Sequence, residues 1–168
     1  AGILGVSAGD LAEILPRFRG VRRRMEVFLE SEGDLFVNDF AHHPTAIRVT
    51  IQAAKERWPD RRLVVVFQPH RYSRTQTQME HFWSAFHDSD TLIINDIFPA
   101  GEEPIEGVNA EGIVEGVRKF GHKNAEHIAT PKDTLKRLSQ ILQPGDVFMT
   151  LGAGNVWELG RDLLADHV

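Results

Sequence analysis

Cysteine is absent from this 168-residue sequence. Disulfide bonds and zinc sites built on thiolates are therefore excluded, and so is a small secreted scaffold held together by disulfides. No apolar run approaches the roughly 20 residues that a membrane-spanning helix requires, and no signal-peptide pattern is present. We therefore expect a cytoplasmic protein that does not bind a membrane.

A concentrated basic surface is also missing. Lysine and arginine total 19 against 24 aspartate and glutamate residues, so the net charge is −5. Nucleic-acid binding normally requires a basic face, and we expect no nucleic-acid partner. Most basic residues are arginines, which cluster at 17–24 and 71–74. Because the planar guanidinium group binds carboxylates and phosphates well, a small anionic ligand is the expected partner.

The sequence also lacks a phosphate-binding loop of the type G-x-x-x-x-G-K-[ST]. The glycine nearest to a lysine lies in the stretch GHKN at 121–124, which does not fit that pattern. If the protein uses ATP, we therefore expect the phosphates to be held by residues outside this sequence.

Strand-like and helix-like segments alternate from residue 34 onward. Apolar runs without alternation, such as RLVVVF, are typical of strands that helices cover on both faces. The predicted strands are 25–31, 34–39, 62–67, 91–96, 126–129 and 146–151. The predicted helices are 7–15, 44–58, 75–87, 109–120, 131–142 and 155–165. This order predicts an α/β fold with a mostly parallel sheet between layers of helices, preceded by a β-hairpin that turns at Gly33.

Three unusual polar stretches each follow a predicted strand. They are DFAHHPT at 39–45, QPHRYSRT at 68–75 and GAGN at 152–155. In folds of this class the carboxyl ends of parallel strands meet at one edge of the sheet, and ligands bind there. We therefore expect the three stretches to build one site together.

The second stretch has the most distinctive chemistry. Arg71 and Arg74 are three residues apart and share a face if the helix has begun, with His70, Ser73 and Thr75 beside them. Two guanidinium groups near a helix N-terminus suit a carboxylate or a phosphate. The alternative is a solvated helix start with ordinary surface arginines, but the position directly after a buried strand favours a binding site.

The other two stretches leave several interpretations open. Adjacent residues such as His42 and His43 rarely point at one ion, so we predict no metal site there, but one histidine that packs the loop and one that faces a ligand. Asp39 could accept hydrogen bonds from a ribose, orient a loop histidine or simply end a turn. The glycines of GAG permit close backbone approach and an anion at the following helix, or only a tight turn.

Five motifs together resemble the C-terminal domain of the Mur ligases in order and spacing. They are FRGVRRRME, NDFAHHPTAI, VVVFQPHRYSRT, DIFPAGEEPI and LGAGNVWELG. The resemblance covers about residues 14–168 and implies a Rossmann-like three-layer domain over 19–168 that closes over a nucleotide. Residues 1–18 are similar to the tail of the upstream central, ATP-binding domain of this family.

The resemblance also implies a reaction. Mur ligases use ATP and Mg²⁺, held mainly by the central domain, to convert a carboxylate into an acyl phosphate that an amine then attacks. The motifs are most similar to the branch that joins L-alanine to UDP-N-acetylmuramate in peptidoglycan synthesis. The implied partners are these two substrates and the upstream domains of the same chain, and we expect the 168-residue chain alone to be inactive.

Site residues follow from the resemblance position by position. Arg24 and Asp39 match positions that contact ATP. The positions that match substrate contacts are His42, His70, Arg71 and Arg74, and the last three of these also match positions at the reacting centre. One of the two arginines would hold the carboxylate of the incoming amino acid, and no metal ligand is implied.

Two alternatives remain open. Phe40 and Ala41 stand where the alanine-adding branch usually has Tyr-Gly, and Ala46 stands where it often has Glu. That variant resembles the branch that joins a preformed murein tripeptide to UDP-N-acetylmuramate. An alternative of another class is a stand-alone module that binds a nucleotide or an anion without catalysis.

Overall fold

The computed structural model describes residues 5–18, 20–31 and 33–165. Within these residues, a sheet of six strands forms the centre of the fold. The strands are β1 (Glu26–Ser31), β2 (Asp34–Asp39), β3 (Leu63–Phe67), β4 (Thr91–Ile94), β5 (Ala125–His127) and β6 (Val147–Leu151). The helices are α1 (Ala8–Ile14), α2 (Pro44–Arg57), α3 (Tyr72–Phe82), α4 (Ala110–Lys119), α5 (Pro131–Ile141) and α6 (Glu158–Ala165).

The strands lie in the order β1-β2-β6-β3-β4-β5. β1 pairs antiparallel with β2, and every other neighbouring pair is parallel. The predicted α/β fold, with an N-terminal hairpin and a mostly parallel sheet, is confirmed.

Helices cover both faces of the sheet. All five residues of β3 are buried, which explains why its sequence shows no alternation of apolar and polar residues. Leu63 and Val65 pack on one face in a core that includes α2, α3 and α4. Val64 and Val66 pack on the other face in a core that includes α5 and α6. The domain therefore has three layers, as predicted.

Local side chains fix where most helices begin. Asn109 accepts a hydrogen bond from the backbone N–H of Gly112 at the start of α4. Thr130 does the same for Asp133 at the start of α5, and Pro131 occupies the first helical position. Such residues are typical N-caps. The predicted starts of these helices agree with the structure to within one residue.

Two predicted helices differ from the structure. Helix 75–87 instead runs from Tyr72 to Phe82, because the chain turns sharply at Arg71, where φ is +72°, and the helix begins directly after it. Helix 155–165 instead begins at Glu158, because the residues after the GAG stretch form turns before the helix starts.

The N-terminal segment packs little against the rest of the chain. A capping box between Ser7 and Asp10 starts α1, which lies within the predicted helix 7–15 but contains no buried residue. Three apolar side chains that follow it, Leu15, Phe18 and Val21, are each about 60% exposed. The assignment of residues 1–18 to a separate domain stays a prediction, and residues 1–4 lie outside the described part of the chain. Among the described helices, none has the length and apolar character needed to cross a membrane.

Candidate functional site

The three polar stretches meet at one edge of the sheet, where β2, β6 and β3 end. The backbone N–H of Gly152, after β6, donates to the carbonyl of Asp39 at 3.2 Å, and the N–H of Gln68 donates to the carbonyl of Leu151 at 3.0 Å. The rings of His42 and His70 lie 5.9 Å apart. The predicted convergence of these stretches is therefore observed.

A fourth loop, after β4, also belongs to this edge. The ring of Phe98 stacks on His70 with a centroid distance of 5.6 Å and an interplanar angle of 12°. The N–H of Phe98 donates to the carbonyl of Pro69, and the N–H of Arg71 donates to the carbonyl of Phe98, both at 2.8 Å. This segment, DIFPAGEEPI, is one of the family motifs but was not included in the predicted site, although it too follows a strand of the parallel sheet.

Glu102 of this fourth loop occupies the start of α3. Its two carboxylate oxygens accept hydrogen bonds from the hydroxyl of Ser73 at 2.6 Å and from the N–H of Ser73 at 2.9 Å. These bonds lower the pKa of Glu102. The hydroxyl of Thr75 donates to the carbonyl of Arg71. Both hydroxyls that lie beside the two arginines therefore organise the turn at the start of α3.

The two arginines of this stretch border one shallow cleft. Arg71 is exposed, whereas Arg74 is partly buried, with Nη1 at 3.3 Å from both Nδ1 and the carbonyl oxygen of His70. Both arginines line the cleft together with His43. A carboxylate in that cleft would meet two guanidinium groups, a geometry that suits charge-assisted hydrogen bonds.

The paired histidines are neutral at neutral pH. Burial lowers the pKa of both His42 and His70, and the positive charge of Arg74 acts in the same direction. Nδ1 of His42 lies 2.8 Å from the carbonyl of Phe40, and because a carbonyl only accepts, Nδ1 carries the proton. Nε2 of His42 is then left with a lone pair that can accept a hydrogen bond.

Asp39 is 3% exposed, and both of its carboxylate oxygens are engaged within the chain. Oδ2 accepts from the N–H of Met25 at 2.8 Å, and Oδ1 accepts from the N–H of Ala41 at 2.7 Å. Arg24, which is exposed, has Nη1 at 3.8 Å from Oδ1. Asp39 thus orients the loop after β2 and holds Arg24 nearby, while contact of these two residues with ATP stays a prediction.

Arg23 is part of this edge, although sequence reasoning did not single it out. Its guanidinium carbon lies 4.7 Å from the ring centroid of Phe40. Nη2 donates to the carbonyls of Gly152 at 2.8 Å and Gly154 at 3.1 Å. The GAG stretch therefore forms a tight turn whose carbonyls face a cation. An anion at the start of α6, which begins only at Glu158, stays a prediction.

No cluster of three or more histidine, aspartate or glutamate side chains suited to a metal ion occurs within 5–18, 20–31 and 33–165. His43, one of the two adjacent histidines, is exposed and its Nδ1 faces the N–H of Thr45 at 3.4 Å, at the start of α2.

Comparison with known proteins identifies the family. Residues 23–154 match the family model described as Mur ligase, glutamate ligase domain. The chain belongs to the Mur ligase family. It is 50% identical over 161 residues to the UDP-N-acetylmuramate–L-alanine ligase of Geotalea uraniireducens. The aligned residues make up 96% of this chain and 35% of that protein.

Solved structures show the same Mur ligase fold. The UDP-N-acetylmuramate–alanine ligase of Thermotoga maritima matches with a TM-score of 0.82 and 25% identity, over 99% of this chain and 34% of that chain. A murein peptide ligase from Psychrobacter arcticus matches in fold, with a TM-score of 0.70 and 24% identity, over 98% and 34%. The chain therefore spans about a third of the length of these Mur ligases.

The GAG turn of this Mur ligase domain generates a stability prediction. A Cβ atom at Gly152, where φ is +152°, would lie 3.0 Å from the carbonyl oxygen of Gln68 and 3.0 Å from a methyl group of Val156. We expect Gly152→Ala to lower the free energy of unfolding of the 168-residue chain by about 1–3 kcal/mol, measured by urea denaturation. The matched control is Gly160→Ala in α6, where a Cβ has no atom within 4 Å.

Since alanine favours a helix by about 1 kcal/mol over glycine, the control variant should be as stable as the wild type or more stable. Equal stability of the Gly152→Ala chain and the wild type would contradict the close approach of the turn to β3.

Proposed function

We propose that this chain is the C-terminal domain of an ATP-dependent ligase that joins L-alanine to UDP-N-acetylmuramate. The main observation in support is the arrangement around the cleft. Arg71 and Arg74 line it, and the neutral histidines His42 and His70 lie beside Arg74. The 50% identity to an alanine-adding relative supports the choice of substrates.

The chemistry of this edge suits an amino acid that attacks through its amine. Guanidinium groups of Arg71 and Arg74 would hold the carboxylate of alanine, which fixes the amine relative to the reacting carbon. The amine must be unprotonated to attack, and neutral imidazoles such as that of His42 do not repel or protonate it. Negative charge that develops on the phosphoryl and carbonyl oxygens would be stabilised by the same arginines.

ATP is proposed to bind mainly outside this chain. The sequence has no phosphate-binding loop, and Mg²⁺ finds no ligand cluster in the described residues. Arg24, exposed at the edge and held near Asp39, is proposed to contact the nucleotide from this side. Apolar residues that are exposed after α1, such as Leu15 and Phe18, fit a segment that an upstream domain covers. We propose that the reaction takes place in the cytoplasm.

The departures from the alanine-adding pattern have structural explanations. Phe40 supplies an aromatic face to Arg23, a role that needs no tyrosine hydroxyl. Ala41 is buried and its N–H is bound to Asp39, and Ala46 packs against the core. Because these roles are compatible with either branch, the choice of acceptor rests on the 50% identity to an alanine-adding relative, and alanine remains the proposed acceptor.

Replacement of the two arginines tests the proposal in the ligase that contains this domain. We expect Arg71→Ala or Arg74→Ala to lower kcat/KM for L-alanine by about 10- to 100-fold, because each removes a charge-assisted hydrogen bond worth about 1.5–3 kcal/mol. The control is Arg57→Ala. Arg57 lies in the last turn of α2, whereas the cleft residue His43 lies at the start of that helix. Wild-type kinetics in both variants would refute the site assignment.

Assays of the isolated chain distinguish this function from that of a stand-alone binding module. Because the phosphate-binding loop is absent, we expect the purified 168-residue protein neither to hydrolyse ATP nor to ligate alanine in a coupled ADP-release assay. Ligase turnover by this chain would refute the proposal. A submillimolar affinity for ATP or for UDP-N-acetylmuramate in calorimetry would instead favour the module.

A further inference from the structure

Arg23 lies in an irregular segment before β1, yet both its backbone and its side chain are hydrogen-bonded to other parts of the chain. Its carbonyl accepts from the N–H of Phe40 at 2.8 Å, and its own N–H donates to Glu26 at 2.7 Å. Its side chain reaches across to the GAG turn, 129 residues further along the chain, where it binds Gly152 and Gly154. Backbone and side chain together thus link the segment before β1 to the loops after β2 and β6.

The backbone of Arg23 has a strained conformation, and the contacts described above hold it in place. Its φ is +58°, a left-handed value that costs a residue other than glycine about 1–3 kcal/mol and persists only where the surroundings impose it. Burial lowers the pKa of the guanidinium, and the buried Nε has no hydrogen-bond acceptor among the described residues. A charged group placed in this way is a fixed structural contact rather than a solvated side chain.

The neighbouring arginine shares the same aromatic support. The guanidinium carbon of Arg24 lies 5.6 Å from the ring centroid of Phe40, and that of Arg23 lies 4.7 Å from it. The ring of Phe40 also meets His42 edge-on at 5.2 Å. The position of Arg24 therefore depends on how Arg23 holds the backbone and the ring.

We propose that Arg23 is a positioning residue, which locks the segment before β1 onto the GAG turn and so aims Arg24 at the nucleotide. The lock itself is a property of this domain, whereas its effect on the nucleotide rests on the proposed function. Arg23 binds two backbone carbonyls and an aromatic ring of the domain, and we assign its effect on the reaction to the position of Arg24.

Amide exchange in the 168-residue chain tests the lock without any assay of activity. In Arg23→Ala we expect the amide hydrogens of Phe40 and Gly152 to exchange with solvent at least about tenfold faster than in the wild type, measured by NMR. Arg22→Ala, at the exposed neighbouring position, is the control and should leave both rates unchanged. Equal rates in the two variants would overturn the proposed lock.

Steady-state kinetics of the full ligase test whether Arg23 also affects nucleotide binding. We expect Arg23→Ala to raise the KM for ATP about tenfold, which corresponds to about 1.4 kcal/mol, while the KM for alanine changes less than about twofold. Arg23→Lys should recover part of this loss, since an ammonium group can bind the same carbonyls but does not stack in the same way.

The outcomes are distinguishable. An unchanged KM for ATP in an active Arg23→Ala enzyme, or a uniform loss of activity that follows a lower Tm, would overturn the positioning role. Absence of alanine ligation by the wild-type ligase would instead refute the proposed function and leave the amide-exchange test of the lock intact.

Discussion

The parallel pairing of β6 between β2 and β3 is the constraint on which the site depends. Leu151, at the end of β6, lies opposite both Asp39 at the end of β2 and Phe67 at the end of β3. Phe67 in turn lies opposite Ile94 at the end of β4. Because four strands end at one level, the loops that follow them must share one edge. Segments separated by more than 100 residues of sequence are brought into hydrogen-bonding contact in this way.

This edge combines positive charge with neutral imidazoles. The arginines differ in burial: Arg23 and Arg74 are partly buried against protein groups, whereas Arg24 and Arg71 are exposed. Arg23 holds the loops and the ring of Phe40 in place. Arg71 and Arg74 both line the cleft that we propose for a carboxylate, and Arg24 is the arginine that we propose for the nucleotide. Glu102 and Asp39 use their carboxylates to fix backbone turns, so they organise the site without filling it.

Much of the fold and part of the site could be predicted from sequence. Strand and helix order follows from apolar periodicity, and N-caps such as Asn109 and Thr130 locate helix starts to within a residue. The start of α3 could not be predicted in this way, because it depends on the sharp turn at Arg71 and on Glu102 from a distant loop. The contacts that Arg23 and Phe98 make were missed for the same reason, since long-range contacts leave no local pattern.

We propose that one edge of the sheet presents cations to an anionic ligand. The most direct test is an NMR titration of the 168-residue chain with millimolar inorganic pyrophosphate, in which amide chemical shifts are mapped onto the structure. The proposed site predicts that the shifts change at residues 23–24, 39–43 and 70–74. Changes confined to the cleft lined by Arg62, Arg118 and Arg137, beside the opposite strand ends, would contradict it.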